Sequence, residues 1–291
     1  MSGPLLVALA LVLGQADAGY VRTRTTDGQH CFHWGVTAGS RSTVTFVQSD
    51  VGDPALGSGF FDAVSSSAET WQSQMQVCGS LNLAEGPHSS SRLIGYDEHG
   101  GNENLVLVRT RDCGSVVPAN DPCHAAATCE NAYDCWGQGS DVLALTTATA
   151  GASDGVVVDA DTEINAVTKL PTVVDFPLCP ANGASTSCVA NDVQSFETHE
   201  FGHFLGLAHS PEPSSTMYAL VPYADLSRRT LDPGSLQFVC DVYPTGRASN
   251  DCALATSPAG TTSGCTTAGS PGGLPASFLA LGLLCLALRR S

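Results

Sequence analysis

The hydrophobic and polar positions follow two different periods in the first half of the chain. In Thr43–Gln48 the residues alternate and are rich in β-branched side chains, which is typical of a strand. Between Phe61 and Cys78 the apolar residues instead recur at steps of three and four, the period of one helix face. We therefore predict a strand and then a long helix. Its core-facing stripe is Phe61, Val64, Ala68, Trp71, Met75 and Cys78.

Four further short runs of apolar and β-branched residues follow this helix, and each has the length of a strand. A second helix comes after them, because Asp192 is a favoured N-cap residue in front of a segment that can form a helix. The predicted order is a strand, a helix, four strands and a second helix. The four runs are Arg92–Tyr96, Leu105–Arg109, Val142–Thr147 and Gly155–Asp159.

The part of the domain that follows residue 210 is small and ends in a third predicted helix. Asp232 is suited to cap its first turn, and Pro233 fits the first helical position, where no N–H donor is needed. Leu236, Val239 and Cys240 recur at helical spacing and form an apolar face. The pattern predicts an α/β (α+β) domain with a small C-terminal part.

Both ends of the chain differ from the middle in composition. Residues 1–18 combine a short apolar run with a small-x-small cleavage pattern, which predicts a signal peptide; a buried N-terminal strand or helix is the alternative. Residues 253–273 are uncharged and rich in small residues and proline, as flexible linkers are. Residues 274–291 are mostly apolar but shorter than the roughly 20 residues that cross a bilayer comfortably. We therefore place the folded domain at residues 19–252.

The segment 274–291 ends in Arg289 and Arg290 and follows a linker that contains Cys265. This combination resembles a bacterial C-terminal sorting signal of the kind seen in myxobacteria. The resemblance implies cleavage near Cys265 and attachment to the cell surface, whereas a plain membrane anchor is the alternative. In either case the arginine pair would stay inside the cell, so the domain is expected to face outward.

Composition favours an exported protein, either secreted or attached to the cell surface. The formal charge of −16 argues against nucleic acid or an anionic membrane surface as a partner. Of the twelve cysteines, all except Cys265 and Cys285 lie in the domain, and their even number predicts up to five disulfides. A thiolate zinc site is the alternative. We expect a monomer in which the cysteine-rich segment 111–140 is pinned by disulfides, with Cys179–Cys188 and Cys240–Cys252 as plausible local pairs.

The strongest chemical signal is the run from His199 to His209. His199 and His203 are four residues apart, so they lie on one helix face and can share a zinc ion. Glu200 lies beside them, within reach of a water on the metal without being a ligand. Gly206 can adopt backbone angles that other residues avoid, so the chain can turn there and bring His209 back as a third ligand.

Three protein ligands leave the fourth zinc position to water, which is typical of a catalytic site rather than a structural one. Zinc lowers the pKa of that water from 15.7 to roughly 7, and Glu200 can take its proton and pass it to the leaving amine. The pattern therefore predicts hydrolysis of an amide bond. An exposed helix with chance histidines, or a degenerate zinc site, is the alternative, and the intact set of ligands and base argues against decay.

The extended pattern His-Glu-x-x-His-x-x-Gly-x-x-His is followed by Ser215-Thr216-Met217-Tyr218, and together they resemble the metzincin zinc endopeptidases. Within that clan the chain is most similar to the matrixins. Ser210 follows the third histidine, where astacins and adamalysins usually carry an acid. Position 219 is alanine, so the zinc-binding tyrosine of astacins and serralysins is not expected.

The resemblance implies a fold and a set of roles. The fold is a twisted, mostly parallel five-stranded sheet with two helices, a zinc cleft and a small C-terminal subdomain with one helix. The resemblance covers roughly residues 40–245, but its motifs are specific only from Thr198 to Tyr218. Neither the long propeptide of matrixins nor their loop for structural zinc and calcium is recognisable. The implied roles are zinc ligands His199, His203 and His209, base Glu200, and Met217 as a floor under the metal, with Gly206 and Tyr218 as structural neighbours.

Asp159, Asp161 and Glu163 alternate along a predicted strand and therefore share one face. Oxygen ligands suit Ca²⁺, so the three carboxylates form a candidate calcium site, although a solvated sheet edge is the favoured alternative. By analogy with the family, this strand is also expected to border the substrate cleft, where an extended peptide could pair with an open sheet edge.

The sequence as a whole predicts an exported zinc-dependent endopeptidase that acts on protein or peptide substrates. One alternative is a non-catalytic surface protein whose zinc is structural, although structural sites usually close with a fourth protein ligand. The other is an amidase that acts on peptidoglycan with the same zinc chemistry. Metal analysis with a peptidase assay, and a comparison of casein with cell-wall digestion, separate the three.

Overall fold

The structure is a computed structural model that describes residues 19–52, 57–167, 191–222, 225–252 and 286–290. The predicted signal peptide, the predicted linker, most of the segment 274–291 and the pair Cys179–Cys188 lie outside the described residues.

A strand, a long helix, four strands and a second helix follow one another as predicted, with additional short elements, but one of the four strands is not where it was predicted. The strands are β1 His33–Trp34, β2 Ser42–Gln48, β3 Leu81–Glu85, β4 Asn104–Arg109, β5 Val142–Ala150, β6 Val156–Asn165, β7 Leu220–Val221 and β8 Leu286–Arg290. The helices are α1 Ser58–Cys78, α2 Cys113–Val116, α3 Cys123–Ala126, α4 Cys129–Tyr133, α5 Val193–Phe204 and α6 Pro233–Val242, with a 3₁₀ turn at Ser227–Arg229.

One mixed sheet forms the centre of the molecule. Its main strands lie in the order β3-β2-β4-β6-β5, and β5 is the only one of the five that runs antiparallel to its neighbour. The short β1 pairs with β6, while β8 lies between β5 and β7. The predicted fold class, a mostly parallel five-stranded sheet with helices, is confirmed.

Helices α1 and α5 pack against each other and cover one face of the sheet. Trp71 and Met75 of α1 are fully buried, as its apolar stripe predicted. The Trp71 indole N–H donates to the carbonyl oxygen of Thr198 at 2.8 Å, and the ring of Phe46 on β2 meets that of Phe201 on α5 at 5.0 Å. These contacts fix α5 at the centre of the domain.

The strand predicted at Arg92–Tyr96 is wrong, and the strand in its place is β3. Strand β3 begins at Leu81, three residues after the end of α1, and its residues Leu81 and Leu83 are buried in the core. Because the two elements are so close in sequence, the apolar pattern of the helix continues directly into that of the strand. Arg92–Tyr96 instead crosses the face of the sheet opposite α5. There the backbone N–H of Gly95 donates to a carboxylate oxygen of Asp161 at 2.6 Å.

The disulfides confirm one prediction and contradict another. Cys113–Cys135 and Cys123–Cys129 pin the segment 111–140, as expected, although it also forms three short helices. The local pair Cys240–Cys252 is wrong. Cys240 on α6 bonds to Cys78 at the end of α1, and Cys252 bonds to Cys31. Packing of α6 against α1 therefore decided the partner, whereas closeness in sequence did not.

The three carboxylates on β6 are buried, so the predicted solvated edge is wrong. Asp159, Asp161 and Glu163 are at most 3% exposed, on the face away from α5. Strand β6 also lies between β4 and β5, so it has no open edge for a peptide; β5 lies nearer the border of the main sheet. Glu163 accepts from the Nε of the fully buried Arg109 at 2.7 Å.

We expect Arg109→Met to destabilise the protein by about 3–5 kcal/mol, because it leaves Glu163 buried without its ionic partner. Exposed Arg111→Met is the control and should change the free energy of unfolding by no more than about 0.5 kcal/mol. Urea unfolding followed by circular dichroism measures both. Equal stability of the two variants would contradict a structural role for the buried pair.

We expect the long-range disulfide to stabilise the fold more than the local one. Cys78–Cys240 closes a loop with a sequence separation of 162, against 6 for Cys123–Cys129. When each pair is changed to serine, loop-closure entropy predicts that the free energy of unfolding falls by about 5 kcal/mol for Cys78–Cys240 and by about 2 kcal/mol for Cys123–Cys129. Thermal and urea unfolding of the two double variants measure the difference, and the reverse ranking would contradict this argument.

Candidate metal centre

Helix α5 carries the site and is buried on all sides. Its first turn is capped as predicted, since the Asp192 carboxylate accepts from the backbone N–H of Ser195 at 2.9 Å. The same carboxylate pairs with the guanidinium of Arg229 in the 3₁₀ turn. Phe201, Phe204 and Leu205 anchor the helix in the core.

Gly206 ends the helix and turns the chain. Its φ of 106° lies in the left-handed region, and an added Cβ would come within 2.3 Å of the Phe32 carbonyl oxygen. A larger residue would therefore have to displace the backbone there. Behind this turn, the N–H of Ala208 donates to the carbonyl oxygen of Val21, and His209 returns towards the helix.

The turn brings the three predicted histidines together. One ligand atom from each of His199, His203 and His209 lies within 4.8 Å of the others, and this is the one such cluster of His, Cys, Asp or Glu in the described residues. The Nε2 atoms of all three rings are buried and have no hydrogen-bond partner there. Converging nitrogens without partners are the arrangement that a metal ion would satisfy.

Backbone carbonyls hold two of the rings in the required tautomer. Nδ1 of His199 lies 2.7 Å from the Thr216 carbonyl oxygen, and Nδ1 of His203 lies 2.8 Å from that of Leu207. A carbonyl only accepts, so each Nδ1 must carry the hydrogen and each Nε2 presents a lone pair. The donor set therefore fits Zn²⁺.

Burial keeps the rings neutral. It lowers the pKa of His199 well below the usual value, that of His203 to about 3 and that of His209 to about 4. Repulsion from the neighbouring rings also lowers the pKa of His199 and His203. The positive charge of Arg228 also lowers the pKa of His209. Neutral imidazole is the form that binds metal, so the ligands need lose no proton at neutral pH.

Met217 lies against α5 on the turn that follows His209. An added Cβ on Gly202 would come within 2.3 Å of its sulfur, so helix and methionine are in close contact. The N–H of Ser210 donates to the Met217 carbonyl oxygen at 2.8 Å, which ties the third histidine's segment to this turn. Tyr218 is half-buried, and its carbonyl oxygen accepts from Arg228 at 2.7 Å.

Glu200 is fully buried and follows His199 on α5. Its Oε2 accepts from the Thr146 hydroxyl at 2.6 Å, whereas Oε1 has no partner among the described residues. Burial raises the pKa of Glu200 to about 8, against the opposing effect of Thr146. A cation held by the nearby rings would lower this pKa and favour the carboxylate.

Sequence reasoning missed several residues that shape the site. Thr146 could have been noticed as a polar residue inside an apolar strand, but the carbonyl groups of Thr216 and Leu207 leave no signal in a sequence. Glu197 was also missed. It is fully buried one turn before Glu200, and burial, together with that neighbour, raises its pKa well above the usual value.

The carboxylates proposed for calcium do not join the histidine site. Asp159, Asp161 and Glu163 lie on the opposite face of the sheet, and Glu163 is already paired with Arg109. Burial and the adjacent carboxylate raise the pKa of Asp161 well above its usual value. A calcium ion there stays a prediction.

Among the described residues, no helix is long and apolar enough to cross a membrane.

Comparison with known proteins places this site in a family. A search of curated proteins found no match. The sequence does match the profile of the matrixins, peptidase family M10, over residues 66–243, which is more than half of the chain and includes the C-terminal part of α1, the histidine cluster and α6. This chain therefore belongs to the matrixin family of zinc metalloendopeptidases.

Proposed function

We propose that the protein is an exported endopeptidase in which His199, His203 and His209 hold one catalytic Zn²⁺ and Glu200 is the general base. One observation carries the proposal: one ligand atom from each of the three histidines lies within 4.8 Å of the others, and their buried Nε2 atoms have no partner among the described residues. Three ligands from the protein leave a position open for water and substrate, as in catalytic zinc sites.

The reaction follows from this arrangement. A bound Zn²⁺ would lower the pKa of water to roughly 7 and polarise the scissile carbonyl group. Glu200 accepts a proton from the attacking water at Oε1 and returns it to the leaving amine nitrogen. Burial excludes bulk water from Glu200, so the proton stays between this carboxylate and the reactants. Met217, packed against α5, keeps the helix and the ligands it carries in place.

A peptide substrate would enter as an extended strand beside β5. Thr146 on β5 contacts Glu200, so this strand passes the catalytic carboxylate. In the structure β8 lies antiparallel to β5 and parallel to β7, which means that one extended chain fits between them. A substrate would take the place of β8 and gain backbone hydrogen bonds without a fixed sequence. This supports a protein or peptide substrate over a cell-wall glycopeptide.

The proposal extends to the compartment in which the protein acts. The four disulfides within the described residues and the acidic composition suit an exported protein, secreted or attached to the cell surface. The signal peptide at residues 1–18, the linker at 253–273 and the sorting or anchor segment at 274–291 stay predictions, as does the monomeric state.

Glu200→Ala is expected to keep one bound zinc ion and to lower kcat/KM for casein-derived peptides by about 10²–10⁴-fold, because it removes the proton acceptor and none of the ligands. Exposed Glu212→Ala is the matched control and should retain full activity. Metal analysis and peptide cleavage measure the two effects. Full activity of Glu200→Ala would exclude this mechanism.

Casein cleavage by the full chain should stop with a zinc chelator and return with Zn²⁺, because the proposed reaction depends on the water that a zinc ion at the histidine site would activate. Peptidoglycan should stay intact in the same preparation. Digestion of cell wall without casein cleavage would favour the amidase. A folded protein that binds one zinc and cleaves neither would favour the non-catalytic binding protein.

A further inference from the structure

Three buried oxygen atoms form a line from the sheet to the base. The Thr162 hydroxyl on β6 lies 2.9 Å from the Thr146 hydroxyl on β5, which lies 2.6 Å from Oε2 of Glu200 on α5. The two threonines are direct partners in the antiparallel ladder of β5 and β6. All three residues are at most 3% exposed.

The direction of these hydrogen bonds follows from the groups involved. An ionised carboxylate only accepts, so Thr146 must donate its one hydroxyl hydrogen to Glu200. The oxygen of Thr146 is then free to accept, and Thr162 supplies the donor. The chain runs from Thr162 through Thr146 to Glu200, and bonds arranged in this way strengthen one another.

The surroundings argue against a purely structural origin. On the side of the sheet that faces α5, these threonines lie among buried Ala144, Ala160 and Ile164. Valine has nearly the same shape and would remove the cost of burying two hydroxyl groups. The polar pair is therefore best explained by what it does to Glu200.

We propose that Thr146 is a positioning residue for Glu200 and that Thr162 fixes the orientation of the Thr146 hydroxyl. This inference rests on the proposed peptidase function. Holding Oε2 leaves Oε1 as the oxygen that faces the reactants and prevents the carboxylate from rotating. The base is then held in its reactive orientation before substrate arrives, which avoids reorganisation during proton transfer.

The first test compares Thr146→Val, Thr146→Ser and Thr149→Val in the full chain. Thr149 is a buried threonine on the same strand, three residues along and therefore on its other face. We expect Thr146→Val to lower kcat about 10–100-fold with little change in KM, because misplacing a catalytic group costs about that much. Thr146→Ser should stay within about threefold of the wild type, since it keeps the hydroxyl.

Thr149→Val should leave both kinetic constants unchanged, and every variant should bind one zinc ion and unfold within a few degrees of the wild type. A general packing effect would instead appear in Thr149→Val as well, or would lower kcat equally in Thr146→Ser and Thr146→Val. Either result would overturn the assignment.

Thr162 is tested by non-additivity. Thr162→Val should lower kcat by less than Thr146→Val, and the double variant should be no slower than Thr146→Val alone, since Thr162 acts only through Thr146. Additive losses in the double variant would mean that Thr162 acts independently and would exclude this arrangement.

A measurement that does not depend on catalysis tests the contact between Thr146 and Glu200 independently of the proposed peptidase function. In protein labelled with ¹³C at glutamate carboxyl groups, the Glu200 resonance is identified by its loss in Glu200→Gln. It should shift in Thr146→Val and stay in place in Thr149→Val. No shift would overturn the positioning role whether or not the protein cleaves peptides. If the Glu200 resonance shifts in Thr146→Val but the wild-type protein cleaves no substrate, the contact is upheld and the proposed peptidase function is rejected.

Discussion

The structure depends on the complete burial of α5 between the sheet and α1. A helix with two histidines and two glutamates on it is costly to bury, because each polar group loses its hydration. Aromatic side chains offset part of this cost by donating to carbonyl oxygens of the helix and its end: Trp71 to Thr198, Trp34 to Phe204, and Tyr243 to Leu205. These bonds leave the helix little freedom. Among its buried polar atoms without a partner in the described residues are Nε2 of His199, Nε2 of His203 and Oε1 of Glu200.

Segments outside α5 complete the site. Thr216 and Leu207 orient two histidines through their carbonyl groups, and Thr146 reaches Glu200 from the sheet. The disulfide Cys78–Cys240 joins α1 to α6, so the two helices that flank the site are covalently linked. The helix carries His199, His203 and Glu200, while the carbonyl groups of Thr216 and Leu207 decide which nitrogen of the two rings stays free.

The two faces of β6 carry different polar systems. On the side of α5, the Thr162 hydroxyl contacts that of Thr146, which donates to Glu200. On the other side, Glu163 pairs with Arg109, which also reaches Asp134 of the disulfide-pinned segment. Because side chains alternate between the two faces of a strand, these contacts link β6 to the histidine site on one face and to the insertion at residues 111–140 on the other.

The sequence alone determined the local features. Helix periodicity predicted α1, the caps Asp192 and Asp232 predicted where α5 and α6 begin, and the spacing of His199, His203 and His209 predicted their cluster, because each is set by residues within a few turns. The partner of Cys240, strand β3, the burial of Asp159 and the contact from Thr146 to Glu200 were decided by tertiary structure. Each of these depends on which distant segments pack together, and a pattern of neighbouring residues carries no record of that packing.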